Sequence, residues 1–238
     1  PPCRTILGRL GLLVFCGLTK GRVGMQEIPK LAAQNQQSAW SPLRYKAFAL
    51  LWTATLISNI GTWMNDVGAG WLMTELSPSP GMVALVSATT TVPMFLFVLL
   101  AGALADRVDK RRYLITVNIL LGMVVTLMAL VTMWQGMTSE LLLVFTFAVG
   151  TGAAFIAPAW QSVVPALVPR ETLSPAVVLN SLGVNISRAI GPALAGLLIT
   201  AVGLSAPFFV NAASTIVIVV ALLLWKPPPA EPSRLPPE

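Results

Sequence analysis

The chain has 238 residues, of which 55% are hydrophobic and only 10% are charged, with a mean hydropathy of +0.79. A soluble domain carries about 25% charged residues because its surface faces water, so this composition excludes an ordinary soluble protein. The apolar residues fall in blocks of about twenty, the length that a helix needs to cross a hydrocarbon core of roughly 30 Å. The net charge of +6 comes from basic residues between these blocks, so it indicates membrane topology and not nucleic-acid binding.

The residue types that are missing exclude several chemistries. The chain contains no histidine, so it cannot build a His-Glu-x-x-His zinc site, a Ser-His nucleophile pair or a histidine-ligated haem. Its two cysteines, Cys3 and Cys16, lie in the N-terminal segment without a spacing typical of a disulfide or metal framework. We therefore predict no cofactor, no metal site and no enzymatic activity.

Residues 1–46 precede the first long apolar block and form an N-terminal tail. Its apolar stretch, residues 6–18, is 13 residues long and contains Arg9, which makes it too short to span a membrane. We interpret residues 1–24 as upstream readthrough before a natural start at Met25. A disordered tail and the core of a signal peptide are the two alternatives.

Six apolar runs follow and define a transmembrane domain over residues 47–225. Short breaks with turn signals separate them, including Ser77-Pro78-Ser79-Pro80-Gly81, Gln135-Gly136, Pro169 and Gly203. The sequence therefore predicts an all-α integral membrane protein with six transmembrane helices. The predicted spans are 47–74, 82–105, 113–134, 141–168, 174–202 and 206–225.

The basic residues predict the orientation of these spans. Nine of them lie in one set of loops and the adjoining ends, whereas the loops around Glu75, Gln135 and Leu204 contain none. Because basic loops stay in the cytoplasm, both termini are expected there. Residues 226–238 contain six prolines and are expected to form an extended cytoplasmic linker. The nine basic residues are Arg44, Lys46, Arg107, Lys110, Arg111, Arg112, Arg170, Lys226 and Arg234.

The loop between the second and third spans carries the most specific motif, Gly102-Ala103-Leu104-Ala105-Asp106-Arg107-Val108-Asp109-Lys110-Arg111-Arg112. It resembles the cytoplasmic signature of the major facilitator superfamily, Gly-x-Leu-Ala-Asp-Arg-x-Gly-Arg-Arg-Arg, with Asp109 in place of the second glycine. A glycine permits close helix approach, and an acid at a helix end accepts hydrogen bonds. The alternative is a basic inside loop with no further role. The predicted gating motif comprises Gly102, Asp106, Arg107, Arg111 and Arg112.

The fifth span contains a second motif, Arg188-Ala189-Ile190-Gly191-Pro192-Ala193-Leu194-Ala195-Gly196. It resembles the Gly-Pro-x-x-Gly-Gly antiporter signature of the same superfamily, with Ala195 where a glycine is usual. Pro192 has no N–H, so the carbonyl of Arg188 loses its helical partner and the helix can bend there. The alternative is a packing kink that is coupled to nothing. The predicted antiporter-like motif comprises Arg188, Gly191, Pro192 and Gly196.

Two ionisable residues lie within spans, where each costs about 2.5–3.5 kcal/mol near the membrane centre. Asp66 shares a face of the first span with Asn59 and Gly70, since seven residues make nearly two turns. Arg188 lies near the middle of the fifth span, close to Asn185. We expect each charge to face a water-filled cavity or a partner, and the two residues could pair with each other. The alternatives are that Asp66 is a hydrated acid near the outer interface and that Arg188 has a structural role only. The candidate proton and substrate cavity comprises Asn59, Asp66, Asn180 and Asn185, with Asn118 and Asn211 as further polar candidates.

Further stretches are similar to one branch of the superfamily, the transmembrane secretion effector and enterobactin-exporter-like group. The resemblance covers about residues 42–225 and implies the N-terminal half of a twelve-helix fold, built as an inverted 3+3 repeat. Gly61 precedes Trp71 by the spacing with which Gly150 precedes Trp160, which agrees with such a repeat. The similar stretches are Ser58-Asn59-Ile60-Gly61-Thr62-Trp63-Met64, Ala157-Pro158-Ala159-Trp160-Gln161, Val168-Pro169-Arg170-Glu171 and residues 176–188.

The resemblance implies a secondary active transporter of the bacterial inner (plasma) membrane. It would export a small amphipathic molecule or a siderophore in exchange for protons, with Asp66 as a candidate proton carrier. Trp160 stands where many members carry an arginine, which argues against a proton relay in the fourth span. The implied partners are the lipid bilayer, a small-molecule substrate, H⁺, and a missing C-terminal six-helix half or a second copy of this chain. The alternative is a non-transporting six-helix membrane module or scaffold.

The charge asymmetry makes a topology prediction. Reporters that are active only outside the cell should work after the three charge-free loops and fail after the basic ones, because the basic loops stay inside. Measuring reporter activity of each fusion tests this, and the reverse pattern would overturn the orientation. The outer fusion points are Pro80, Gly136 and Gly203, and the inner ones are Lys110, Arg170 and Lys226.

Overall fold

The structure, a computed structural model, describes residues 40–226. All six of its long helices are long and apolar enough to cross a membrane, which confirms the predicted all-α membrane fold. The interpretations of residues 1–39 and of the linker from residue 227 onward lie outside the described residues. The long helices are α1 (Lys46–Leu76), α2 (Pro80–Arg107), α3 (Lys110–Met133), α4 (Ser139–Val163), α5 (Leu173–Ala201) and α6 (Ala206–Leu224), and the short 3₁₀ helices are Ser41–Arg44, Val164–Ala166 and Arg170–Thr172.

Two helix boundaries differ from the predicted spans for identifiable reasons. The fourth span was expected to reach residue 168, but α4 ends at Val163 and a short 3₁₀ helix with Pro165 follows. Pro165 has no N–H, so the Gln161 carbonyl loses its α-helical partner where α4 ends. At the other boundary, α3 begins at Lys110 and not at residue 113. The Asp109 carboxylate caps it by accepting a hydrogen bond from the Arg112 backbone N–H at 2.8 Å.

The breaks at Gln135-Gly136 and Gly203 adopt left-handed backbone. Gln135 has φ 57° and Gly203 has φ 123°. After α3, the residue with positive φ is therefore Gln135 and not Gly136. Only a glycine adopts the conformation of Gly203 without strain, which explains the glycine between α5 and α6.

The helix contacts follow a repeated pattern. α1 packs mainly against α5 and α6, α4 packs mainly against α2 and α3, and α3 also packs against α6. If α1, α2 and α3 are exchanged for α4, α5 and α6, the α1–α5 contact becomes α4–α2, the α1–α6 contact becomes α4–α3, and the α3–α6 contact is unchanged. Because each repeat has an odd number of helices, the second repeat starts from the opposite side of the membrane. This arrangement agrees with the predicted inverted 3+3 repeat.

The spacing shared by Gly61 and Gly150 does not mark equivalent packing positions. A side chain at Gly61 of α1 would meet Ser214 of α6, whereas a side chain at Gly150 of α4 would meet the backbone of Thr90 in α2. Under the repeat, α6 corresponds to α3 and not to α2. The similar spacing is therefore independent of the structural repeat.

Two apolar clusters hold the ends of the bundle together. The first cluster lies at the end where α1 begins and includes Phe48, Tyr113 and Leu114. The second cluster lies at the other end and includes Met73, Met128, Leu142 and Phe208. α2 and α5, at the two ends of the row of packed helices, bury the least of their surface. The apolar clusters leave the middle of the bundle available for polar side chains.

The close approach of α4 to α2 makes a stability prediction. In Gly150→Ala the new methyl group would meet the Thr90 carbonyl, which is backbone and cannot move aside easily. Overpacking costs about 1–3 kcal/mol, more than the helix propensity of about 1 kcal/mol that alanine adds. We expect a lower thermal unfolding midpoint in detergent micelles, followed by tryptophan fluorescence.

Gly70→Ala is the matched control for this measurement. Apart from its own turn of helix, nothing among residues 40–226 lies within 4 Å of a methyl group placed at Gly70, so this variant should keep or slightly raise the midpoint. Equal midpoints for the two variants would contradict the packing of α4 on α2.

Candidate functional site

A cavity of about 320 Å³ lies within the bundle and receives side chains from all six long helices. Four asparagines line it: Asn59, Asn118, Asn180 and Asn211. Along α1, α3 and α6 these asparagines fall between residues of the first cluster and residues of the second. The remaining lining is Thr55, Ser58, Thr62, Met94, Leu121, Val149, Ala153, Ile156, Ala157, Trp160, Val184, Thr215, Ile218 and Leu222.

Two of the asparagines form side-chain hydrogen bonds within their own helices. The Asn118 side-chain amide donates to the Leu114 carbonyl at 2.7 Å, and the Asn211 side-chain oxygen accepts from the Ser214 hydroxyl at 3.4 Å. Uncharged amides and hydroxyls beside the Trp160 indole suit a ligand with both apolar and hydrogen-bonding groups. None of the described residues that line this cavity is ionisable. The cavity can therefore bind an amphipathic molecule but has no charge of its own.

The structure brings together only part of the candidate cavity set. Asn59 and Asn180 line the cavity, and Asn118 and Asn211 join them. Asp66 and Asn185 are not among its lining residues. Asp66 lies about 10 Å further along α1 than Asn59, at 1.5 Å per residue. Asn185 lies on the exposed side of α5, where its amide donates to the Ser181 carbonyl at 3.0 Å.

Asp66 lies beside a residue that the sequence analysis missed. It is half-buried, and the Asn65 side chain hydrogen-bonds to it. Asn65 itself is 1% exposed, and its carbonyl oxygen has no hydrogen-bond partner in the described chain. A buried polar oxygen without a partner is costly in an apolar interior. The position of an amide next to an acid within a span is the sequence signal that could have identified Asn65.

Small residues and two hydrogen bonds set the register of α1 against α5. The Trp52 indole N–H donates to the Leu179 carbonyl at 2.9 Å, and the Ser187 hydroxyl lies 3.3 Å from the Leu56 carbonyl. Further along, a methyl group at Gly191 would lie 2.5 Å from the Trp63 Cβ. Gly191 of the antiporter-like motif is thus a point of close approach between α5 and α1.

The other members of this motif have different surroundings. α5 continues through Pro192, and no neighbouring helix of the described chain lies within 4 Å of a methyl group placed at Gly196. Arg188 is exposed, and the centre of its guanidinium lies 5.1 Å from the centroid of the Trp63 ring. Within residues 40–226, Arg188 and Asp66 form no ion pair. Trp63 was not a predicted site residue, because only the register of α1 and α5 brings it to Arg188.

The loop motif between α2 and α3 divides into anchored and open residues. The Arg111 Nε donates to the Leu222 carbonyl at 2.8 Å, and its guanidinium also donates to the Leu223 carbonyl. These are free carbonyls at the C-terminal end of α6, so Arg111 caps that helix. Asp106 and Arg107 are exposed, and nothing in the described chain lies within 4 Å of a methyl group placed at Gly102. The close approach expected at Gly102 is not made within residues 40–226.

Two inverted three-helix repeats, with a polar cavity between their apolar ends and a Gly-x-Leu-Ala-Asp-Arg motif after α2, define a six-helix half of a major facilitator superfamily transporter. A family model described as "Transmembrane secretion effector" matches residues 37–238. The chain belongs to this family, which confirms the predicted resemblance. The family and the matching relatives below are transporters, as expected for a chain without enzymatic activity.

Several curated relatives match this chain over part of their own length. A staphyloferrin A transporter of Staphylococcus aureus is 27% identical, over 71% of this chain and 42% of the relative. Macrolide efflux protein A of Streptococcus pyogenes is 22% identical, over 76% of this chain and 45% of the relative. The multidrug efflux pump Tap of Mycobacterium tuberculosis is 28% identical, over 67% of this chain and 39% of the relative. The chain therefore spans a little under half the length of these relatives.

The fold is also found in a crystal structure of a bacterial homologue of the human lysosomal transporter Spinster, in an inward-facing and unoccupied conformation. The TM-score is 0.62 at 20% sequence identity, over 82% of this chain and 46% of that one. At this identity the likeness establishes the fold alone, and it agrees with one half of a transporter.

The contrast between Arg111 and Arg112 makes a stability prediction. Arg111→Gln removes the donors that cap α6 and should destabilise the protein by about 1–2 kcal/mol. Arg112→Gln is the matched control, since the Arg112 side chain is exposed and only its backbone N–H is used, by Asp109. Thermal midpoints in micelles measure both. Equal losses for the two variants would show that the basic loop acts through charge alone and would contradict the cap.

Proposed function

We propose that the chain forms the N-terminal half of a proton-coupled transporter that exports a small amphipathic molecule. The observation that carries this proposal is the asparagine-lined cavity, to which all six helices contribute and which has no ionisable lining residue among residues 40–226. Such a site binds an apolar body through Trp160 and aliphatic side chains and orients it through amides and hydroxyls. The siderophore, macrolide and multidrug transporters named above match this chain and support export.

The proposed cycle uses rigid-body rocking of two halves. In transporters built from inverted repeats, the substrate site lies near the membrane midplane and opens to each side in turn. The second half would be a C-terminal six-helix segment or a second copy of this chain. α2 and α5 would face it, since they bury the least surface within this half and expose large apolar side chains such as Phe95 and Leu99.

Gly102 and Asp106 fit a contact with that second half. Both lie near the end of α2, where nothing in the described chain lies close to Gly102 and Asp106 is exposed. Arg111 holds the start of α3 against the end of α6, so the loop is attached to a fixed frame. An open glycine next to an exposed acid on a fixed loop can receive a helix of the second half and release it again. The motif would thereby close the cytoplasmic side in one state.

Asp66 is the proposed proton carrier. An ionised carboxylate within the membrane is unfavourable, so uptake of a proton makes it easier for α1 to present this position to a less hydrated environment. Asp66 would take up a proton in the outward-facing state and release it inside. The membrane potential adds about 2.3 kcal/mol per charge for each 100 mV. Because Asp66 and Asn59 belong to the same helix, protonation at one position can be coupled to binding at the other.

This proposal predicts the effect of Asp66→Asn in proteoliposomes containing both halves. Uphill export driven by a pH gradient should be abolished, because asparagine cannot carry a proton, while downhill exchange should remain in part. Asp66→Glu should retain some uphill export, because a carboxylate remains near the site. The measurement uses a panel of fluorescent amphipathic dyes that includes neutral, cationic and anionic members.

Binding of the same dyes provides the control, since Asp66 does not line the cavity and binding should change less than twofold in Asp66→Asn. Undiminished uphill export by Asp66→Asn would place the proton carrier elsewhere. If Asn59→Leu loses dye binding while Asp66→Asn binds dye normally, the result would support separate residues for substrate binding and for proton transfer.

A further inference from the structure

Arg188 carries a charge that no group in the described chain neutralises. It lies near the middle of α5, is exposed, and forms no ion pair with a carboxylate among residues 40–226. Its described interaction is with the face of Trp63, at 5.1 Å from the ring centroid. A ring face attracts a cation but provides no hydrogen-bond acceptor for the five N–H donors of a guanidinium. Within the described chain these donors have no acceptor.

The packing of α5 on α1 places Arg188 beside Trp63. Gly191, one turn after Arg188, allows α5 to contact Trp63 at its Cβ, and the Ile60 carbonyl lies 3.3 Å from the same point. Directly before Arg188, the Ser187 hydroxyl lies 3.3 Å from the Leu56 carbonyl of α1. Close backbone contacts therefore lie on both sides of Arg188 along α5.

The Arg188–Trp63 pair continues from the cavity along both helices. On α5, Asn180 and Val184 line the cavity, and Arg188 follows one turn after Val184. On α1, Asn59 and Thr62 line the cavity, and Trp63 follows one turn after Asn59. The pair thus places an unneutralised cation next to a cavity whose own lining residues are uncharged.

We propose that Arg188, held on Trp63, binds the anionic group of the transported molecule, while the uncharged part of that molecule occupies the asparagine-lined cavity. This inference rests on the proposed function and narrows the substrate to amphipathic organic anions, carboxylates above all. A guanidinium presents its donors as a planar fork that matches both oxygens of a carboxylate. The low dielectric constant of a membrane interior strengthens this attraction relative to water.

The test compares two ligands of the same shape that differ in charge, 2-naphthoate and 2-naphthamide. Their equilibrium binding to the chain in lipid nanodiscs is followed by the fluorescence change of the naphthalene ring. We expect naphthoate to bind at least tenfold more tightly than naphthamide. Arg188→Gln should remove that preference and leave naphthamide binding unchanged, whereas Arg188→Lys should keep part of it, because lysine retains the charge but not the planar fork.

Two controls separate this site from a general effect of positive charge. Arg170→Gln removes an exposed basic residue just before α5 and should leave the naphthoate preference intact. Trp63→Leu should weaken the preference without abolishing it, since the charge stays but its support is lost. Thermal midpoints of all variants confirm that each one is folded.

Equal affinity of the unmodified protein for the two ligands would overturn the proposal. So would a loss of naphthamide binding in Arg188→Gln that equals the loss of naphthoate binding. Binding is measured without any gradient, so its outcome does not depend on proton coupling. Selective naphthoate binding without gradient-driven export would support the anion site and overturn the proposed transport. Gradient-driven export without selective naphthoate binding would support the proposed transport and overturn the anion site.

Discussion

The lipid bilayer imposes the constraint from which the other features of this structure follow: no water is available inside it to satisfy backbone N–H and C=O groups. Each segment that crosses must therefore close its hydrogen bonds within itself, and helices do so. Many hydroxyl side chains follow the same rule. Thr53, Thr91 and Thr151 each donate to a carbonyl four residues earlier in their own helix, at 2.8–2.9 Å. These hydroxyl groups are thus hydrogen-bonded within their own helix and need no partner on another one.

Helices that satisfy their own hydrogen bonds must recognise one another by shape. Lipid is as apolar as leucine, so close van der Waals contact at small residues replaces the hydrophobic effect. Gly61 brings α1 to α6, Gly150 brings α4 to α2, and Gly191 brings α5 to α1. Together with Gly122, where α3 meets α6, and Gly152, where α4 meets α3, these contacts connect the helices into one row. They also set the register that decides which side chains face each other.

The proposed function rests on a small set of polar and charged side chains within the spans. Four asparagines converge between two apolar clusters, Asn65 keeps a buried carbonyl oxygen without a partner in the described chain, and Arg188 rests on an indole. Each is unfavourable in a purely structural helix bundle. Their separation matters as well. The cavity, the acid at Asp66 and the cation at Arg188 occupy distinct positions, so the proposed roles in substrate binding, proton transfer and charge recognition fall on different residues.

The sequence by itself determined the number, order and approximate limits of the helices, because apolar runs of membrane length and the prolines and glycines between them act locally. Its motifs also indicated the superfamily and the loop after α2. The partners of individual side chains were decided only by the tertiary structure. Asn118 and Asn211 entered the cavity and Asp66 did not, Arg188 met Trp63 and not Asp66, and Arg111 became a helix cap while Arg112 stayed exposed. Each of these outcomes depends on the rotation and register of helices whose contacting residues are more than 100 positions apart, as Trp52 and Leu179 are, and no local pattern encodes that register.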